Sequence, residues 1–300
     1  MRLRRLLAAT WLVLLPGFVL VTVFFVTTAF FATTARASSH ATLTVDMLLD
    51  GVGDCSTSGS CTLRAAIAAA APGDTIVFAP ALAGGTITLS SEQLTIDKSL
   101  TINGSNAITV SGGSKVRVFV VAAGTVTLDG LTIVDGKPAI TGIGDGAGIR
   151  VLNSASLTVL NTTLAGNIAV NGGGGISNYG VLIVRNSTFF SNTTGGEGGA
   201  IYNGGSATIS HSTLARNEAD RLGGGISNRD ALTITNSSFY SNASYYIAGG
   251  IYNSAALAVK NSTLLDNAAS DSGSGLYSSG GSSTLTVANT IIARSLNGGD

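Results

Sequence analysis

The chain has 300 residues, only 11% of them charged, and a formal net charge of zero. That balance argues against a nucleic-acid binder, which needs a basic stripe, and implies no electrostatic partner. Forty glycines beside an apolar fraction of 45% suit short buried strands cut by tight turns.

Arg2, Arg4 and Arg5 precede an uncharged stretch from Leu6 to Ala35, and Ala35-Arg36-Ala37 offers a cleavage site before Ser38. Residues 1–37 read as a signal peptide or, since the stretch is long enough to span a bilayer, as an uncleaved N-terminal anchor. Either way the remainder is expected outside the cytoplasm, secreted or on the cell surface, with the membrane touched only through this segment.

Residues 38–80 read as an N-terminal cap. Cys55 and Cys61 sit close together in GDCSTSGSCTLRAAI, which suits a local disulfide in an oxidising compartment. The C-x5-C spacing is not that of a zinc site, and no metal is expected there. Closing so short a loop contributes about 2 kcal/mol on the chain-entropy account. The Ala-rich run from Thr62 to Ala70 starts at a Thr N-cap and stops before Pro72-Gly73, which predicts one short helix covering the end of a stack. It hands over directly to a strand, Asp74-Thr75-Ile76-Val77-Phe78.

Residues 81–300 are short alternating runs cut by Gly. Asn103, Asp129 and Asn161 each follow an apolar-x-apolar stretch at uneven intervals. From about residue 151 the spacing becomes a fixed 25: Val151, Ile176, Ile201, Ile226, Ile251 and Leu276 form one column. Asn153, Asn178, Asn203, Asn228 and Asn253 form a second, and Asn167, Asn192, Asn217, Asn242 and Asn267 a third. Identical residues at fixed phases of such a period predict a solenoid of stacked coils, each touching only its neighbours. The pairs Leu182/Val184, Ala207/Ile209, Leu232/Ile234 and Leu257/Val259 point inward, on strands about 4.8 Å apart. The Asn columns are expected at bends, tolerating left-handed backbone and bonding the Asn above and below. His211 shares a column with Asn186, Asn236 and Asn261 and reads as a polar substitute in a ladder.

Cys61-Thr62-Leu63-Arg64-Ala65-Ala66-Ile67 resembles the CSLREA-type N-terminal motif of exported bacterial β-helix proteins, with Thr62 and Ala65 departing from it. Gly198-Gly199-Ala200-Ile201 and the segments Phe189 to Asn192 and Phe239 to Asn242 are similar to the GGAI and FxxN repeats of the chlamydial polymorphic outer membrane proteins. These resemblances imply an all-β chain, a right-handed parallel β-helix of the pectin-lyase-like kind with a short N-terminal capping helix. That fold hosts lyases, hydrolases, adhesins and passive stalks alike. A polymorphic outer membrane protein would add a C-terminal barrel, whereas this sequence stops at Asp300 inside a coil, so continuation past Asp300 is the observation that bears most on the role.

Cleavage of a polysaccharide needs paired carboxylates, or acids for calcium with a basic proton acceptor. Projected through the 25-residue step, the acids after residue 151 do not converge. Only Glu218 and Asp220 lie near each other, and they read as a solvated turn. Weak catalytic candidates remain in the irregular coils, at Asp129, Asp135 and Asp145, although the first two fall where later coils have Asn161 and Asn167. The stronger signal is for binding. Tyr202, Tyr252 and Tyr277 share the position after the core Ile, and Phe190 and Tyr240 share another outward column. Aromatic faces in a row on a rigid rod suit stacking on sugar rings. The sequence therefore predicts a monomeric, exported structural, adhesive or glycan-binding protein, its partner a polysaccharide or a host or neighbouring cell surface. No cofactor is expected. The alternative is a lyase or hydrolase of an acidic polysaccharide, the one case in which calcium enters.

Overall fold

In the regular coils, strands of two to six residues cannot form a sheet within one coil, so they pair with the same strand of the next. The computed structural model describes residues 40–139 and 144–297. The 1–37 segment, with its Ala35-Arg36-Ala37 site, and Asp300 lie outside the described residues.

All strand pairs are parallel and build three sheets of 17, 8 and 6 strands. One regular coil shows the path. Ile176–Asn178 belongs to the eight-stranded sheet, Val181–Arg185 and Thr188–Phe190 to the large sheet, and Thr193–Thr194 to the six-stranded one. Apolar residues of each coil meet along the axis: Ile176, Leu182, Val184 and Phe189 are fully buried, as are Ile201, Ile209 and Leu214 one coil on. Burial of each such side chain stabilises by about 1.5 to 3 kcal/mol.

The N-terminal end is closed by the short helix Leu63–Ala69, which buries Leu63, Ala66 and Ile67. Thr62 caps it, its Oγ accepting from the Ala65 amide at 3.1 Å while donating to the Gly51 carbonyl at 2.7 Å. Arg64 ties the helix outward, with Nε and Nη2 on the two Asp50 oxygens at 2.8 and 3.1 Å and further bonds to the Glu92 and Gln93 carbonyls. Cys55 and Cys61 are joined by a disulfide. The Cys61 amide also donates to Asp46.

The first regular coil departs from the 25-residue step. Ile149, not Val151, is the neighbour of Ile176, and Val151 pairs with Asn178. Asn153 is therefore no ladder member and is exposed. The cause is turn length: six positions separate Val151 from Leu157, whereas four separate Asn178 from Leu182, the strand partner of Leu157. Two added residues leave the large sheet in register at 25 and shift the eight-stranded sheet to 27. Asn178, Asn203, Asn228 and Asn253 do stack, amide to carbonyl at 2.8 Å, and the row ends on Ser278 at 3.0 Å.

The Asn167 to Asn267 column is a second ladder, buried rather than at a left-handed bend. Each Oδ1 accepts both the backbone N–H and the Nδ2 of the preceding Asn, as Asn217 does from Asn192 at 3.0 and 2.9 Å. Each Nδ2 also reaches a carbonyl of the coil before, as Asn217 does at Phe189. Thus the whole amide is satisfied without water. One row of left-handed corners is formed by other residues, Asn161, Asn186, His211, Asn236, Asn261 and Asn289, with φ between 47 and 51°. His211 holds such a corner, with Nε2 3.2 Å from Nδ2 of Asn236.

Candidate functional site

The outward column of the eight-stranded sheet runs Arg150, Ser177, Tyr202, Ser227, Tyr252 and Tyr277. At the spacing of stacked strands these six positions cover about 24 Å. Beside it, the residue after each ladder Asn is Tyr179, then Gly204, then Arg229. Gly204 leaves a gap over which the rings of Tyr179 and Tyr202 meet, their centroids 5.7 Å apart and tilted by 50°. A Cβ there would lie 3.1 Å from the Tyr202 ring and 3.3 Å from that of Tyr179.

The opposite wall comes from the loop entering the sheet. Gly172, Glu197, Leu222 and Ile247 are bridged in sequence, and the 27-residue offset places Asp145 before Gly172 in that row. The three columns enclose a cleft of about 440 Å³, lined by Asp145, Tyr179, Glu197, Tyr202, Arg221 and Arg229.

Its polar groups are held by one another. Tyr179 Oη donates to Asp145 Oδ2 at 2.6 Å, and burial together with that bond pushes the phenol up to about 12. The phenol is therefore a fixed donor at neutral pH and no base. Glu197 accepts from Arg229 Nε at 3.0 Å and Nη2 at 2.6 Å, and from Ser227 Oγ at 3.0 Å. Burial works against the Arg229 charge, but the Glu197 bonds outweigh it and raise its pKa. Burial, then Glu197, also raises the Tyr202 phenol. Two stacks result. Arg150 lies 5.7 Å over the Tyr179 ring, which meets Tyr202. Arg229 lies 5.0 Å over Tyr252, which stacks on Tyr277 at 5.8 Å and 10°. Such an array offers flat apolar faces edged by oriented donors and acceptors.

Tyr202, Tyr252 and Tyr277 thus share one face. Phe190 and Tyr240 do not join them: they project from the large sheet, 39% and 42% exposed, with Ala215 between them and Arg216 over the Phe190 ring. Nor do the three acids converge. Asp129 pairs with Leu160, one position before the Asn161 corner, and accepts from the Asn161 amide at 2.8 Å. Asp135 aligns with Gly166 rather than Asn167, because Ile133 pairs with Leu164, and it accepts from Ser111 Oγ. Only Asp145 lines the cleft. Glu218 lies on the six-stranded sheet, paired with Thr193 and Ala243. Among the described residues no group of three or more His, Cys, Asp or Glu is placed to hold a metal ion.

Sequence reasoning missed Tyr179, Glu197 and Arg229 as site residues. Their signal was present, since Tyr179 and Arg229 are 50 residues apart, twice the repeat, but neither shares the column of the three tyrosines. A family model described as a right handed beta helix region matches residues 116–292. No curated protein and no solved structure matches the chain.

Proposed function

The chain belongs to the right-handed β-helix family, and because that fold by itself names no chemistry, we propose that the face of its eight-stranded sheet is a glycan-binding surface on an exported adhesive or structural rod. One observation carries this reading: two guanidinium-over-tyrosine stacks lie in a row on either side of a cleft, Arg150 with Tyr179 and Tyr202, then Arg229 with Tyr252 and Tyr277. Sugar rings present an apolar face and polar edges, and this row matches both. Each cleft carboxylate already accepts from a fixed donor, which suits holding a ligand in place. Export is supported by the N-terminal charge pattern with Ala35-Arg36-Ala37 and by the disulfide. A glycan array with wild type and Tyr252→Ala tests the binding reading. We expect a bound oligosaccharide whose affinity falls about tenfold in the variant, the loss of one aromatic platform. Absence of any bound glycan, or binding indifferent to Tyr252→Ala, rejects it. N-terminal sequencing of the extracellular protein tests cleavage before Ser38.

A second reading, cleavage of an acidic polysaccharide, is favoured by one observation: Asp145 and Glu197 share a column two coils apart, about 10 Å by strand spacing. That is close to the separation used by inverting hydrolases. Incubation with a pectin and alginate panel decides it. Product formed by wild type and abolished by Glu197→Gln supports cleavage, and no product from any polymer rejects it.

A further inference from the structure

A second cavity, of about 450 Å³, adjoins the cleft where Arg150 leaves the outward column, and Glu92, Gln93, Lys115, Arg117 and Arg150 line it. Three of these are cations and one is an acid. Arg117 is 7% exposed and anchored on backbone, with Nε 3.0 Å from the Asp145 carbonyl and 2.9 Å from that of Gly146, and with Nη1 2.6 Å from Gln93 Oε1. Burial, then repulsion from Arg150, lowers its pKa to about 10, and the Asp145 carboxylate only partly offsets this. Arg117 therefore feels the Arg150 charge more than the Asp145 carboxylate.

Arg150 is the incomplete member. Its Nε is closed off from solvent and has no hydrogen-bond partner among the described residues, while its guanidinium stacks over Tyr179. The closed-off Nε is out of an anion's reach, so what the cavity offers is the delocalised Arg150 charge, which forms no salt bridge among the described residues. Lys115 stands exposed at the rim, able to meet an incoming anion before Arg150 does.

We propose that this cavity is an anion subsite at the end of the glycan face, where the carboxylate or sulfate of an acidic sugar is taken by Arg150 and Lys115 while its ring lies toward Tyr179. The proposal rests on the glycan-binding reading for the sugar, but the anion chemistry stands on Arg150 alone and is tested separately.

Calorimetric titration uses glucuronate, inorganic sulfate and glucose, then trigalacturonate against its methyl ester, on wild type, Arg150→Gln and Lys115→Gln. Wild type is expected to bind at least one free anion but not glucose, and to prefer the acid over the ester by about tenfold. Arg150→Gln abolishes that preference, and Lys115→Gln, at an exposed position outside the two stacks that does not threaten the coil, weakens the preference and leaves ester binding unchanged. Heat from glucuronate alone assigns the subsite to carboxylate, and heat from sulfate alone assigns it to sulfate. Equal binding of acid and ester by wild type, or a preference that survives in Arg150→Gln, overturns the subsite and leaves the glycan face standing. If Tyr252→Ala leaves ester binding intact, the face fails while Arg150-dependent heat from a free anion still upholds the subsite.

Discussion

Tyr179 and Arg229 occupy the same column of the rod two coils apart, and only Gly204 stands between them. The cleft exists because that intervening position has no side chain. Tyr202 leans into the space, so ring, gap and guanidinium follow one another along the axis. Filling the gap is the most direct way to alter the face without touching the core.

Gly204→Val is expected to do this. Its Cβ meets ring carbons rather than backbone, so the rings are displaced and the coil survives. Glycan affinity should fall about tenfold or more while stability shifts by less than about 1 kcal/mol. Calorimetry beside thermal melting separates the two.

The buried ladder sets a larger stake. Asn217→Ala leaves the Asn192 backbone N–H and Nδ2 without their acceptor and the Phe189 carbonyl without its donor, all inside the rod. The expected loss is about 3 kcal/mol or more, against less than about 1 kcal/mol for Asn236→Ala at an exposed corner. Urea denaturation followed by circular dichroism measures both.

Ala248 stands where Gly223 and Gly273 lie one coil to either side, and all three are left-handed, with φ of 63, 64 and 63°. A Cβ is strained there, by roughly 1–2 kcal/mol. Ala248→Gly relieves that strain but enlarges the freedom of the unfolded chain, so the net gain should be about 0.5–1 kcal/mol. Gly223→Ala should lose at least as much, since its Cβ would collide with the Ile226 carbonyl. Melting temperatures of both variants should move in opposite directions.

Tyr179 should mark itself in an alkaline titration. Its phenol is held up to about 12, by burial first and the Asp145 bond second, against 10 for a free tyrosine. A raised folded-state value gives stability that is complete below pH 10 and is lost as pH climbs from 10 to 12. Ultraviolet absorbance should show a late phenolate step that Tyr179→Phe removes, and the variant should lose less stability than wild type across that window.

The rod was legible in the sequence because its core repeats. Ile176, Ile201, Ile226 and Ile251, and the Asn167 to Asn267 column, stand at the spacing that 25-residue counting gives them. Counting failed where a turn changed length. Two extra residues between Val151 and Leu157 cost Asn153 its place and hid the alignment of Asp145 with Glu197, since the insertion leaves the large sheet at 25 and moves only the eight-stranded sheet to 27. Alternation places Phe190 and Tyr240 in an outward column of their own, as it places the three tyrosines in theirs, but which of three faces each column occupies is not visible in it.

Every regular coil offers the next the same amide, the same carbonyl and the same apolar row. A gene encoding such a chain can gain or lose 25 codons by slippage and still specify a sound protein. The cleft has no such immunity. Inserted between Tyr179 and Arg229, one more coil would widen their separation by about 4.8 Å and change what the face can grip. In this architecture length is inherited cheaply, and specificity is the trait that recombination rewrites.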